Sequence, residues 1–439
     1  MPRSGGARGV PVDRGGAVAG PMEMHAFGRL VPALTARRRL LAAVRPIERT
    51  DRISIDTAFD RIAAASVRAA VPVPPFARAS WDGYAVRSTE TRSASARRPV
   101  ALRVVGEVYA ESAFDRRVQP GEAVAIATGG ALPRGTDTVV IFEEVRRTDG
   151  EIQLVRPVRA GDRIARPGED IRRGMLLASR GERLEPAGLG AIAASGVSSV
   201  RVYARPRVEI IPNGNELVVP GSPRAAGSIF ESNNATLAAV VTAGGGVPRL
   251  HPPVRDDPLR IEAALRTAAA RSDLVLATGG SSVGERDHLP RIFPRLGDLL
   301  FHGVAVRPGK PTLAVQTGRT LVIGLPGHPT SCLANMLWLV LPVLRRLGRR
   351  PGPGWTEEWA ILGSDAIAPT PGMATVVPLA FRHGRAFSTF RGSSSIASLR
   401  GTTAFAILPP GRRVARTGER IRVCRLEPPL GGAGPTSND

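Results

Sequence analysis

At 439 residues, with 43% hydrophobic and 22% charged side chains, the chain is too long for one core and too apolar for disorder, which predicts roughly two to four domains. The formal charge of +22 suits anionic partners, yet aromatics at 4%, scattered Arg and no zinc-finger or RNA-recognition pattern argue against nucleic acid and for anionic small molecules. Two cysteines, Cys332 and Cys424, exclude a disulfide framework or zinc site and suit a reducing cytoplasm, and no apolar run is long enough to span a membrane.

Residues 1–39, rich in Gly, Arg and Pro without apolar periodicity, are expected to form a disordered and dispensable tail, and residues 428–439 a second disordered tail. An N-terminal region should span 40–205. Within it the spacing of Ile53, Ile55, Ala58, Ile62 and Ala65 predicts a helix over 50–70, ended by Pro72, Pro74 and Pro75. Short apolar pieces at 102–108, 123–127, 138–142 and 152–155, set between Gly, Pro and Asp turns, predict a β domain over about 73–165. A helix at 186–195 and a strand at 200–203 follow.

Continuous apolar strands at 207–211, 274–277 and 320–323 alternate with helices at 235–243, 259–270 and 330–347. That alternation predicts a parallel sheet covered on both faces, a three-layer αβα domain over 206–350, with ligands at the carboxyl ends of its strands. After a Gly/Pro linker, short strands over 355–427 predict a small β barrel or sandwich domain.

Each of the three strands runs into a glycine-containing loop. These are Asn213-Gly214-Asn215-Glu216, Thr278-Gly279-Gly280-Ser281-Ser282-Val283-Gly284 and Leu325-Pro326-Gly327-His328-Pro329-Thr330-Ser331. Glycine lets backbone amides approach an oxyanion, and the start of a following helix adds partial positive charge. One such loop is weak evidence, whereas three at one sheet edge point to an anion site.

The turn Arg307-Pro308-Gly309-Lys310-Pro311 adds two cations, and Lys310 is the only lysine beside 59 Arg. Where Arg has replaced Lys almost everywhere, a retained ammonium points to a pocket that needs a compact charge. Acids beside glycine or in turns, namely Asp82, Asp170, Asp256, Asp257 and Asp287, suit Mg²⁺, which takes one or two carboxylates together with substrate oxygens. His288 and His302 show no metal-ligand spacing, and His328 is expected to touch ligand from within the third loop.

Together with Pro74-Pro75-Phe76, Ser80-Trp81-Asp82-Gly83-Tyr84-Ala85-Val86, Ile126-Ala127-Thr128-Gly129-Gly130-Ala131-Leu132-Pro133 and Gly168-Glu169-Asp170-Ile171, these strings resemble the molybdopterin molybdotransferases, the bacterial MoeA proteins and the gephyrin E domain. The resemblance covers about residues 46–426. It implies a multidomain α/β plus β protein: an elongated N-terminal α+β region, a three-layer αβα pterin-binding domain and a C-terminal β-barrel. It also implies a homodimer and a Mg²⁺-dependent transferase that inserts molybdate into adenylylated molybdopterin and releases AMP.

By motif, the resemblance makes Asp82, Thr128, Asp170 and Asp256 catalytic. Molybdate and molybdopterin would be held by Asn215, Glu216, Gly279, Gly280, Ser281, Ser282, Gly284, Arg307, Pro308, Gly309, Lys310, Pro311, Pro326, Gly327, His328, Ser331 and Ser393. The metal would be held by Asp256, Asp287 and Glu216. Partners would include molybdopterin adenylyltransferase and apo-molybdoenzymes, with no nucleic acid and no membrane.

This chain has Asn215 where the family has Asp, His328 where it has Asn, Gly188 where an acid is common and Trp81 where Met is common, and its last domain lacks a family Arg. Two other readings stay open: molybdopterin adenylyltransferase, which shares the three-layer domain, and a paralogue acting as a partner-binding scaffold.

Overall fold

The continuous apolar runs pair side by side. In the computed structural model, which describes residues 30–281 and 287–427, Arg207–Pro212, Leu274–Thr278 and Thr320–Leu325 form adjacent parallel strands. The register sets Ile210 beside Leu276 and Leu276 beside Ile323. Val247–Leu250 extends one edge in parallel. The other edge departs from expectation: Leu313–Thr317 and then Asp298–His302 add antiparallel, so the six-stranded sheet is mixed. Arg319 and Gly318 lie in a two-residue turn that returns the chain at once, and so short a connection can join only antiparallel neighbours.

Alternation along each strand feeds two cores. Val208, Ile210, Leu276 and Ile323 pack with Leu237 and Val240 of helix Asn233–Ala243 and with the long helical stretch 329–347. Ile211, Val275, Ala277 and Val322 pack on the other face with Ile261 and Leu265 of helix Pro258–Arg271 and with Phe293 of helix Leu289–Leu296. The three-layer arrangement is thus as the sequence predicts. The stretch 329–347 is α-helical over Pro329–Asn335 and Leu341–Leu347 but winds as a π-helix over Met336–Val340.

Five strands, Trp355–Leu362, Ala374–Arg382, Arg385–Ser388, Ala404–Leu408 and Arg420–Leu426, close on themselves, because Ala374–Arg382 pairs with both Arg385–Ser388 and Ala404–Leu408. This is the expected terminal barrel. Strand Val304–Arg307 joins it at Ala374 and Thr375.

Two compact units result. One combines residues up to Ile47 with those from Arg205 onward, and the other spans Glu48–Ala204. The expected boundaries at 39 and 40 therefore move. Val31–Pro32 pairs in parallel with Val304 and Ala305, and helix Ala33–Ala43 buries Ala33, Ala36 and Leu40 in the first unit's main core. Three arginines in a row, Arg37, Arg38 and Arg39, conceal that apolar stripe in the sequence. The remainder of the expected N-terminal tail and residues 428–439 lie outside the described residues.

In the second unit a six-stranded sheet, ordered Thr138–Ile141, Gly83–Val86, Glu122–Ile126, Val100–Val108, Glu151–Leu154, Val145–Thr148, forms the expected β domain. The helix expected over 50–70 is absent. Thr50–Ser54 is a strand paired antiparallel with Ser199–Tyr203, followed by a single 3-10 turn, and Asp60 has φ +62°. Of the five spaced positions only Ala58 and Ile62 are buried, Ile53 and Ile55 are partly so and Ala65 is exposed, and the backbone at 62–63 is irregular, bridged from Ile62 to Arg183 and from Ala63 to Val202. β-branched Ile53 gains more from strand pairing than from a helix that a left-handed Asp60 would break, and Ile55 opens the 3-10 turn.

Candidate active site

Three loops emerge together at the carboxyl ends of the three parallel strands, which is where an α/β sheet leaves a crevice. Asn213 donates its amide to the Thr278 carbonyl at 2.8 Å, and Gly279 donates to the Leu325 carbonyl at 3.3 Å. Gly279 has φ +86°, and a β-carbon there would stand 2.3 Å from the Asn213 carbonyl oxygen, so the close approach of first and second loops requires glycine. A cleft of about 960 Å³ opens between them, lined by Asn213 to Leu217, Gly279, Gly280, Ser281, Pro326, Gly327 and His328. Ser282 and Gly284 lie outside the described residues.

The cleft wall is acidic. Glu216, Glu231, Asp256 and Asp287 all line it, and among the described residues no Arg or Lys does. Asn215 and Asp256 are joined backbone to side chain in both directions, each bond 3.1 Å. The segment that carries Asp256 begins at His251, which pairs with Glu209, a buried acid that also accepts two bonds from Arg271 at 3.0 and 3.1 Å. Burial pushes the Glu209 pKa up, but bonds from His251 and Arg271 outweigh it and hold the carboxyl below its usual value. The expected metal ligands thus share one cleft, although no three of the described His, Cys, Asp or Glu residues are grouped to hold an ion by themselves.

Glu231 and Asn233 were not picked out by the sequence patterns, and Asn213 only as the first residue of its loop. Glu231 is 4% exposed and caps the helix that begins at Asn233, accepting from the backbone amides of Asn233 at 2.7 Å and Asn234 at 3.0 Å. Burial raises its pKa, opposed by those amide bonds. An acid two residues ahead of a helix is a legible capping signal, but nothing local says that the cap faces a cleft. Asn233 donates to the Gly327 carbonyl at 2.9 Å, tying the cap to the third loop. Asn213 is 3% exposed, and neither polar atom of its side-chain amide has a hydrogen-bond partner among the described residues. A buried amide in that state marks a place that a bound group or a neighbouring segment completes.

The cationic turn divides. Pro311 lines the cleft, with Lys310 half-buried beside it, whereas Arg307 and Pro308 line a second cavity of about 430 Å³ against the barrel residues Ser364 to Thr370. The expected two-cation clamp is therefore not a single surface. Arg307 ends a strand that pairs with Thr375, and this commits its side chain to the barrel. Gly309 is buried under Asn335. Ser331 is buried and Ser393 contributes its carbonyl to the Thr330 amide at 3.1 Å, while Ser394 and Ile396 are the residues of that segment that line the cleft.

In the second unit Asp82 Oδ1 accepts from the Thr128 amide at 2.7 Å and from its hydroxyl at 2.8 Å. These bonds, backbone first, hold the exposed Asp82 carboxyl below its usual pKa. The Asp170 amide donates to the Val73 carbonyl at 3.1 Å, and its carboxylate is exposed.

A doubly covered sheet with an acidic, glycine-lined cleft at its strand ends is the architecture of a small-molecule-binding α/β domain. The chain matches "MoeA N-terminal region (domain I and II)" over residues 31–196 and "Probable molybdopterin binding domain" over residues 209–346. It is 32% identical to a molybdopterin molybdenumtransferase of Bacillus subtilis over 397 residues, which cover 88% of this chain and 92% of that one. It is also 32% identical to one of Nostoc, covering 86% and 89%. A molybdopterin biosynthesis MoeA protein from Pyrococcus horikoshii superposes with a TM-score of 0.80 at 32% identity, covering 91% of this chain and all of that one. The chain belongs to the molybdopterin molybdenumtransferase family.

Proposed function

We propose that this protein acts in molybdenum cofactor biosynthesis as a transferase that inserts molybdate into adenylylated molybdopterin with release of AMP. The observation that carries this reading is the cleft itself: three loops from adjacent strands present amides and glycines beside four carboxylates, with Lys310 at the margin. Anionic substrates enter an acidic cleft only with a cation to bridge them.

The donor set fits Mg²⁺, an oxygen-seeking ion that takes few protein carboxylates and completes its shell with water and phosphate oxygens. One or two of Asp256, Glu216 and Asp287 would hold it. When bound, it would polarise a phosphate oxygen and offset the charge of the phosphoanhydride. The chain's own groups do the remainder. The Gly280 and Gly327 backbone would face the substrate, Lys310 would hold the oxyanion, and apolar Ile229, Phe230 and Ile396 in the lining suit a flat ring. No protein nucleophile is needed: the dithiolene sulfurs replace oxygens of molybdate, which leave as water, and a water attacks the phosphoanhydride phosphorus as AMP departs.

Asp82, Thr128 and Asp170 are assigned to the reaction by motif, and a homodimer is proposed as the working species. Incubating the purified protein with adenylylated molybdopterin, Mg²⁺ and molybdate should release AMP in a molybdate-dependent way. AMP incorporation from ATP into molybdopterin would instead identify an adenylyltransferase. Inertness in both assays would favour a scaffold.

A further inference from the structure

Asn335 is fully buried at the end of the helix that starts at the third loop, and chemistry fixes which way its amide faces. Trp338 Nε1 can only donate, and it points at Asn335 Oδ1 at 2.7 Å. Nδ2 must therefore face the other way. There it donates to the Gly309 carbonyl oxygen at 2.9 Å and to Thr312 Oγ1. The Thr312 hydroxyl donates to the same Gly309 oxygen at 2.8 Å.

Gly309 has φ +108°, and a β-carbon at that position would stand 2.3 Å from Asn335 Nδ2, so side chain and turn are fitted to each other. On the far side of the turn the Val304 amide donates to the Lys310 carbonyl at 2.9 Å. The helical ladder widens to a π turn at Met336, directly after Asn335. Such a bulge re-aims the residues that follow it, Trp338 among them.

We infer that Asn335, oriented by Trp338, is a positioning residue for the oxyanion site: through the Gly309 carbonyl it fixes where Lys310 and Pro311 stand relative to the Gly327-His328 loop. The inference rests on the reading that Lys310 holds molybdate. An aspartate at 335 would set a carboxylate oxygen against the Gly309 carbonyl, and a leucine would leave that buried turn without its donor.

The test compares full-length wild type, Lys310→Ala, Asn335→Leu and Trp338→Phe. AMP release is followed against molybdate and, separately, against adenylylated molybdopterin, with molybdate binding measured by calorimetry and Tm recorded for each. Asn335→Leu should raise the molybdate KM about tenfold, as a misplaced ligand does, while the KM for the pterin nucleotide stays at the wild-type value. Trp338→Phe keeps the Asn335 donors but lets the amide flip, and should move the molybdate KM the same way by less.

A wild-type molybdate KM and affinity in both variants, or equal rises in both KM values, would overturn the proposal. If Asn335→Leu does not fold, Trp338→Phe decides alone, and an unchanged molybdate KM in it is fatal. Lys310→Ala separates the two ideas. Unchanged molybdate binding in Lys310→Ala defeats the oxyanion reading itself, whereas weakened binding there with normal Asn335 and Trp338 variants defeats only the positioning role.

Discussion

Asn215 and Asp256 hold each other reciprocally, each accepting the other's backbone amide through a side-chain oxygen at 3.1 Å. An amide and a carboxylate do this equally well, so the pairing of the two loops does not depend on charge at residue 215. What the Asn removes is a second negative charge beside Asp256. Asn215→Asp should therefore leave Tm unchanged and lower the Mg²⁺ concentration for half-maximal AMP release roughly tenfold, because ligand charge tunes divalent affinity. Asp256→Asn should raise it. A Mg²⁺ titration indifferent to both changes would remove this pair from the metal site.

Lys310 should resist replacement by either neighbour in chemistry. Lys310→Arg is expected to impair molybdate-dependent turnover, since a planar guanidinium cannot occupy the place of a compact ammonium. Lys310→Ala should be worse, by about 1.5–3 kcal/mol or ten- to a hundredfold, the usual loss for a charge-assisted bond. Wild-type kinetics in Lys310→Arg would reduce the lone lysine to an accident of composition.

Glu231 gives a pH signature. Burial holds its folded pKa above the unfolded value, so between those two values the folded state carries the extra proton and stability falls as pH rises. Glu231→Gln keeps an acceptor for the helix amides without that ionisation. The Tm of the Gln variant relative to wild type should therefore climb as pH rises from the ordinary carboxylate range through the raised folded pKa, and then level off. A difference in Tm that is flat across this range would show that Glu231 ionises without penalty.

Leu40 tests the N-terminal helix. It is fully buried with Val44 against the main core, and Leu40→Ala should cost about 2–5 kcal/mol in urea unfolding, the usual range for a buried leucine. A loss below about 0.5 kcal/mol, as at a surface position, would mean that the helix is not part of the folded unit.

The strands at 207–212, 274–278 and 320–325, their three loops and the β character of the terminal domain could be read from sequence because their signals are local: unbroken apolar runs, glycines at strand ends, turn residues between short strands. Periodicity alone misread residues 50–70, where the apolar spacing is satisfied by a strand and irregular backbone, since Ser199–Tyr203 is available as a partner only in the fold. Helix Ala33–Ala43 was hidden for a related reason: its buried stripe is three residues wide and becomes stabilising only against a core assembled from positions beyond 200.

Lys310 could be singled out by its rarity, but its separation from Arg307 could not, because a strand end turns one side chain to the barrel while the next turn carries the other to the cleft. Glu231 and Asn335 carry no sequence signal for a site beyond a capping pattern and a polar residue in an apolar helix. Their roles come from what is brought to them, the Gly327 loop in one case and the Gly309 carbonyl in the other. Hydrogen-bond partners separated by tens of residues are chosen by packing, and packing is decided only when the whole sheet has formed.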